Sequence, residues 1–370
     1  MKGLFFYMSL SIALTVSAVW GKIWPFLIAI LFFGFVIMFH EFGHFIFAKL
    51  FKVKVNEFAI GMGPTLMKKK KGETVYALRL LPIGGFVSME GEDEESEDDR
   101  AFNNKPVWQR IIIVSAGAVI NLIMGVIIVA IMLCQSDLIG TTQIHSFYDN
   151  ATSAQSGLEA GDRIVEINGK HVFSQYDISF LMMRDDDGVM DFVVERNGEK
   201  VDVNNVRFRT SPIEGQENLI NIEYDFIITG VKPGFVSVTK NAFLESISIG
   251  RMVWVSLFDI VTGKYGLSEL SGPIGVVSYV ADAAEQSSSQ LDWTPLLTIM
   301  ALIAINIGIF NLLPVPALDG GRLLFMLVEL IIRRPVPQKF EKWVHAVGLM
   351  LLLAFMAVIS FKDILYLIRG

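Results

Sequence analysis

Long uncharged apolar runs dominate the chain and read as membrane spans, each close to the roughly 20 residues a spanning helix needs. Residues 3–21 lie uncharged between Lys2 and Lys22, and residues 23–39 stay uncharged up to His40. Residues 111–136 run to Asp137, and residues 293–318 run to Asp319. Residues 346–361 are the shortest run, and reach spanning length if Trp343 and His345 sit at an interface. The pattern predicts a membrane α-helical bundle of four core transmembrane helices, over 23–50, 111–136, 293–333 and 343–367. Residues 1–22 have a basic start, an apolar middle and Val16-Ser17-Ala18 as a candidate cleavage site. They read as an extra N-terminal helix, with a removed signal peptide as the alternative.

Between residues 139 and 230 the pattern changes to short alternating strands. Ser156 to Lys170 reads as a turn, a strand and an Asn-Gly turn, and Phe192 to Val203 as a second hairpin around Asn197-Gly198. Asp177 to Arg184 reads as a short helix. Residues 231–290 form a connector in which Ala242 to Val261, apolar with polar interruptions, is expected at the membrane surface, and Ser287-Ser288-Ser289 as a flexible link.

Charge sets the orientation. Lys49, Lys52, Lys54, Lys68 to Lys71, Lys105 and Arg110 crowd the stretch from about 49 to 110, which places the loop at 51–110 in the cytoplasm. Arg333, Arg334 and Lys339 do the same for the loop between the last two spans, so the β-rich segment lies outside. The acidic run from Glu92 to Asp99 reads as a solvated part of the cytoplasmic loop. With 52% hydrophobic and 19% charged residues among 370, disorder is excluded, and the single Cys134 excludes a disulfide scaffold. Basic residues number 31 against 38 acidic, and no basic stripe alternates with aromatics, so nucleic acid is not a partner.

The chemistry concentrates in His40-Glu41-Phe42-Gly43-His44. Residues four apart share a helix face, so both imidazoles can reach one metal ion, and Glu41 beside them can accept a proton from water. Two histidines hydrogen-bonded within a bundle are the plain alternative; the pattern ends an apolar span, where polar groups are costly and mark function. A catalytic zinc takes three protein ligands. The metzincin pattern would need Gly at 47 and His at 50, where this chain has Phe47 and Leu50. Glu57 sits among lysines in an exposed loop. Asp319, the lone acid ending a long uncharged run at the same face, is the better third ligand, with a helix N-cap as its alternative role. Asn306 and Asn311 carry the donors and acceptors that hold a peptide backbone, provided that the helix breaks near Pro314 and Pro316; interhelical hydrogen bonding is the alternative.

His40 to His44 together with Asn311-Leu312-Leu313-Pro314-Val315-Pro316-Ala317-Leu318-Asp319-Gly320 resemble the paired signature of the site-2 protease family. The wording from Ser156 to Lys170 resembles bacterial PDZ domains and points to the branch similar to regulator-of-sigma-E protease, with a single PDZ-like domain. The resemblance covers nearly the whole chain from residue 23. It implies an intramembrane zinc metalloprotease of the bacterial inner membrane, with His40, His44 and Asp319 on one zinc, Glu41 as general base, and Asn306 and Asn311 holding substrate. Pro82-Ile83-Gly84-Gly85-Phe86 resembles the family's membrane-dipping β-hairpin, so Gly84 and Gly85 are expected to bind substrate. Ala116 to Asn121 resembles its second-span motif, with Ala118 where proline is expected. The implied substrates are single-pass membrane proteins, such as anti-sigma factors or remnant signal peptides, and the PDZ-like domain would filter them by size or capture a peptide C-terminus. Two rival readings remain: a metal-dependent membrane transporter, and a non-catalytic scaffold built around the PDZ-like domain.

Overall fold

The computed structural model describes residues 2–92, 94, 96–213, 216–264 and 270–369. In chain order, helix α1 (Lys2–Leu50) leads into strands β1 (Val55–Lys71) and β2 (Thr74–Met89), and then α2 (Val107–Gln135). The β-rich middle holds β3 (Ile139–Phe147), α3 (Thr152–Gln155), β4 (Arg163–Ile167), β5 (Lys170–His171), α4 (Gln175–Met183), β6 (Val189–Arg196), β7 (Glu199–Arg207), β8 (Thr210–Ile213), β9 (Gln216–Ile222) and β10 (Phe226–Val231). Helices α5 (Phe235–Val261), α6 (Pro273–Gln290), α7 (Thr294–Leu312), α8 (Asp319–Ile332) and α9 (Gln338–Arg369) complete the chain. Two compact units result, one made of 1–125 with 262–370 and the other of 126–261.

Among the described residues, four helices are long and apolar enough to cross a bilayer: Ile23–Leu50, Val107–Gln135, Thr294–Leu312 and Gln338–Leu365. Their outer faces carry exposed apolar side chains such as Leu31, Ile127, Leu351 and Val358, a surface that water penalises and lipid does not. Residues 2–22 are helical and run without a break into the first span. Beside these helices, the first half of β1 pairs on one side with Val75 to Leu78 and on the other with Gly85 to Met89. The chain folds back at Gly61 and Gly63, both at positive φ, so residues 85–89 form an outer strand of this small sheet.

The second unit is built on a twisted antiparallel sheet in the order β10-β3-β4-β6-β7, with β5 paired to β4. Strand periodicity decides its core: Met190, Phe192 and Val194 alternate inward on β6 and pack against Ile144, Ile164 and Ile167. Both Asn-Gly turns have positive φ at each central residue, Asn168 with Gly169 and Asn197 with Gly198, the conformation that a tight two-residue hairpin demands. Ser174 and Asp177 form a reciprocal cap on α4.

One expectation for the connector needs correction. Ser287 to Ser289 are helical within α6, not a flexible link. Ser287 is buried, and its hydroxyl accepts the Leu296 N–H at 3.2 Å, satisfying a donor that the start of α7 leaves without a helical partner. The polar interruptions of α5 are engaged by the β-rich core. Ser248 donates to Asp177 at 2.7 Å, Arg251 pairs with Asp177, and Asp259 receives Arg184 at 2.9 Å, so the polar side of α5 faces the β-rich core. Its aromatic side, Phe235, Phe243, Trp254 and Phe258, stands exposed.

Glu245 on the same helix is buried, and neither carboxyl oxygen has a hydrogen-bond partner. Burial pushes its carboxyl up to about 7. In the unfolded chain it titrates near 4.3. The native state therefore binds the extra proton between these values, and stability is highest at the acid end and declines as pH rises toward 7. Glu245→Gln should flatten this part of the pH dependence and raise the melting temperature of the purified chain above pH 7. Thermal unfolding from pH 5 to 8 checks it; an unchanged slope would show that Glu245 is not the group responsible.

Candidate metal centre

His40 and His44 lie one turn apart on α1, both buried, with ring centroids 4.7 Å apart in an edge-to-face arrangement. Helix α2 passes directly against them. A Cβ on Gly117 would lie 2.5 Å from His44 Nε2 and 2.7 Å from His40 Cε1, so the imidazoles pack on bare backbone. The same helix orients the His44 ring. His44 Nδ1 donates to the Ile113 carbonyl at 2.9 Å, which leaves Nε2 of the neutral ring with its lone pair. The side-chain amide nitrogen of the fully buried Asn121 stands 3.3 Å from His40 Nδ1.

Asp319 arrives from the first turn of α8, nearly 280 residues later. Its Oδ2 lies 3.0 Å from His40 Nε2 and 3.2 Å from His44 Nε2, and the two Nε2 atoms are 3.2 Å apart. Three electron-pair donors thus form a nearly equilateral triangle. Ligands held at about 2.0–2.1 Å by a tetrahedral zinc are about 3.3 Å from one another, so this triangle fits such an ion and leaves its fourth place open. Asp319 Oδ2 is buried and has no hydrogen-bond donor of its own. Three oriented lone pairs at this distance repel unless a cation sits among them. Among the described residues this is the one cluster of His, Cys, Asp or Glu that could hold a metal ion. Asp319 is a residue of the helix, with Leu318 in the cap position, so the capping alternative does not describe its carboxylate.

Glu41 stands beside the triangle, and its Oε2 accepts the Val87 N–H from β2 at 3.1 Å. Gly85 opens the outer strand two residues before Val87, and Gly84 precedes it at a positive φ. Glu57 is taken by Arg79 in an ion pair at 2.8 Å, which removes it as a ligand. Asn306 and Asn311 are both half-buried on α7, and the helix runs unbroken through them to Leu312. The expected break thus falls after both asparagines, and they stand about 140° apart around the axis. Part of the acidic run is engaged rather than solvated: Glu92 pairs with Arg322, and Asp98 lies 3.3 Å from Lys54. Sequence reasoning missed the roles of Ile113 O, Gly117 and Asn121. The Ala116 to Asn121 motif was the available signal, but only the packing of α2 on α1 says what it does.

A sequence profile of Peptidase family M50 matches residues 28–355. The chain belongs to this family. A Clostridium perfringens protein that carries the name of a zinc metalloprotease is 35% identical over 91% of this chain and 98% of its own. The regulator of sigma-W protease RasP of Bacillus subtilis is 29% identical over 90% of this chain and 97% of its own, and the zinc metalloprotease RasP of Bacillus licheniformis is 30% identical over 90% and 97%. The protein is therefore a multi-pass membrane zinc metalloprotease of the site-2 type, which decides for the enzyme over the transporter and the scaffold.

Gly117→Ala tests the packing directly. The added methyl should displace an imidazole and weaken zinc binding by about tenfold or more, the range in which ligand-orienting contacts act. Competition with a chelator measures it; wild-type affinity would show that α2 does not set the ring positions.

Proposed function

We propose that the protein cleaves transmembrane segments of single-pass membrane proteins, with His40, His44 and Asp319 holding one zinc ion and Glu41 acting as general base. The observation that carries this reading is the 3.0–3.2 Å triangle of ligand atoms with Glu41 one residue along from His40. Bound there, zinc supplies Lewis acidity to a water molecule and to the scissile carbonyl. Glu41 takes the proton from that water and returns it to the leaving amine. Its hydrogen bond from Val87 N–H orients the carboxylate from the outer strand of the sheet.

A transmembrane helix pairs all its backbone groups internally, so it has to unwind before its carbonyl can be attacked. The outer strand offers a partner for the unwound segment. Val87 N–H points away from β1 toward Glu41, and by the two-residue repeat of a strand Gly85 N–H points the same way. An extended substrate added along Gly84 and Gly85 would therefore lie beside Glu41. Asn306 and Asn311 contribute backbone contacts from α7, each from its own side of the helix. Substrates with Gly, Pro or Asn near the cut unwind most easily and are preferred.

By its loop charges the protein sits in a bacterial inner membrane with residues 51–110 in the cytoplasm and the β-rich unit outside. That unit is a PDZ-like domain acting as a size filter, and α5 lays its exposed aromatic side on the membrane surface. Anti-sigma factors and remnant signal peptides are the substrate classes that this arrangement suits.

Glu41→Gln should retain zinc and lose cleavage of a synthetic Gly-containing transmembrane segment by at least about 100-fold. Metal content and cleavage measured on one preparation check both halves; undiminished cleavage would remove Glu41 as the base, and a uniform Leu/Ala segment cut as fast as the Gly-containing one would remove the unwinding requirement. Deleting 139–230 should leave short substrates cleaved and admit bulky ones. Selectivity unchanged by the deletion would count against the filter.

A further inference from the structure

The segment that delivers Asp319 is short of backbone donors. Between the end of α7 and the start of α8, Pro314 and Pro316 have no N–H. Val315 N–H bonds back to Leu313 O at 2.6 Å, and Leu318 N–H to Val315 O at 3.2 Å. Both bonds close within the loop and fix nothing outside it. Ala317 N–H is different: it donates to Nδ1 of His345 on α9 at 3.0 Å. Ala317 is also the strained residue of the loop, at φ +76°, a conformation that a residue with a Cβ adopts only when its surroundings hold it there.

The ring that holds it is itself held. Phe325 of α8 packs against the His345 imidazole with centroids 5.9 Å apart. One turn along α9, Gly348 lets the loop approach: a Cβ there would lie 2.2 Å from Pro316 Cβ. At the other end of the loop, a Cβ on Gly320 would lie 1.9 Å from Leu313 O. The loop is thus pressed between the first turn of α8 and α9, with Asp319 two residues after the bonded N–H. His345, which the sequence suggested for a membrane interface, turns inward instead.

We propose that His345 is a positioning residue for the proteolytic centre: by accepting the Ala317 N–H it locks the loop and sets the place of the Asp319 carboxylate. This rests on the reading of Asp319 as a zinc ligand. The contact requires an acceptor at the Nδ1 position, which makes it separable from mere packing. Asn offers an oxygen close to that position, whereas Gln places its oxygen further out and Leu has none.

The test uses the full-length protein in detergent micelles, with zinc affinity from chelator competition and with kcat and KM on one synthetic transmembrane substrate. His345→Leu should weaken zinc binding about tenfold, as loss of an orienting contact does, and lower kcat while leaving KM within about twofold. His345→Asn should restore both values toward wild type, and His345→Gln should not. Gly348→Ala should move zinc affinity in the same direction without touching His345. His345→Leu with wild-type zinc affinity and kcat would overturn the proposal, as would His345→Asn failing as badly as Leu. Asp319→Asn serves as the reference. If it keeps wild-type zinc affinity, the ligand assignment itself falls; if it loses zinc while His345→Leu does not, only the role of His345 falls.

Discussion

Two imidazole nitrogens and a carboxylate oxygen meet within 3.2 Å inside a bundle of apolar helices. Without a cation that meeting is repulsive, because the His44 ring has spent its proton on the Ile113 carbonyl and Asp319 Oδ2 has no donor of its own. Much of the surrounding structure follows from holding these atoms together. Helix α1 supplies both imidazoles by simple one-turn spacing. Helix α2 comes close enough, through Gly117, to pack on both rings, and its Ile113 carbonyl orients that of His44. The carboxylate comes from a helix start, where the partial positive charge of free N–H groups suits it.

The small sheet beside α1 is the proposed link from this centre to a substrate. One N–H of its outer strand holds Glu41, so the proposed base on α1 is tied directly to the proposed peptide-binding edge. Chemistry on a membrane helix needs a water, a base and an extended backbone at one place. The juxtaposition of Glu41, Val87 and the ligand triangle brings the protein's share of these into one region.

Much of this was legible in the sequence because it rests on local periodicity. Uncharged runs predicted the spans, the four-residue histidine spacing predicted a shared face, and Asn168-Gly169 and Asn197-Gly198 predicted their hairpins. Asp319 could be singled out as a lone acid ending an apolar run. What was not legible depends on tertiary partners. Nothing local says that Ser287 would satisfy the start of the next helix, or that the polar positions of α5 would face Asp177 and Arg184 while its aromatics stay outside. Asn121 and His345 look like ordinary polar residues in spans until α2 and α9 are packed against their targets. The helix around Asn306 and Asn311 continues past both, because the prolines that end it act only from Pro314 onward.

Zinc K-edge X-ray absorption on the purified protein shows whether His40, His44 and Asp319 bind one zinc ion together. The expected result is a shell of nitrogen and oxygen ligands at about 2.0–2.1 Å with the multiple scattering of two imidazoles, and an altered shell in Asp319→Asn. Sulfur ligation, or a spectrum unchanged by that substitution, would contradict it.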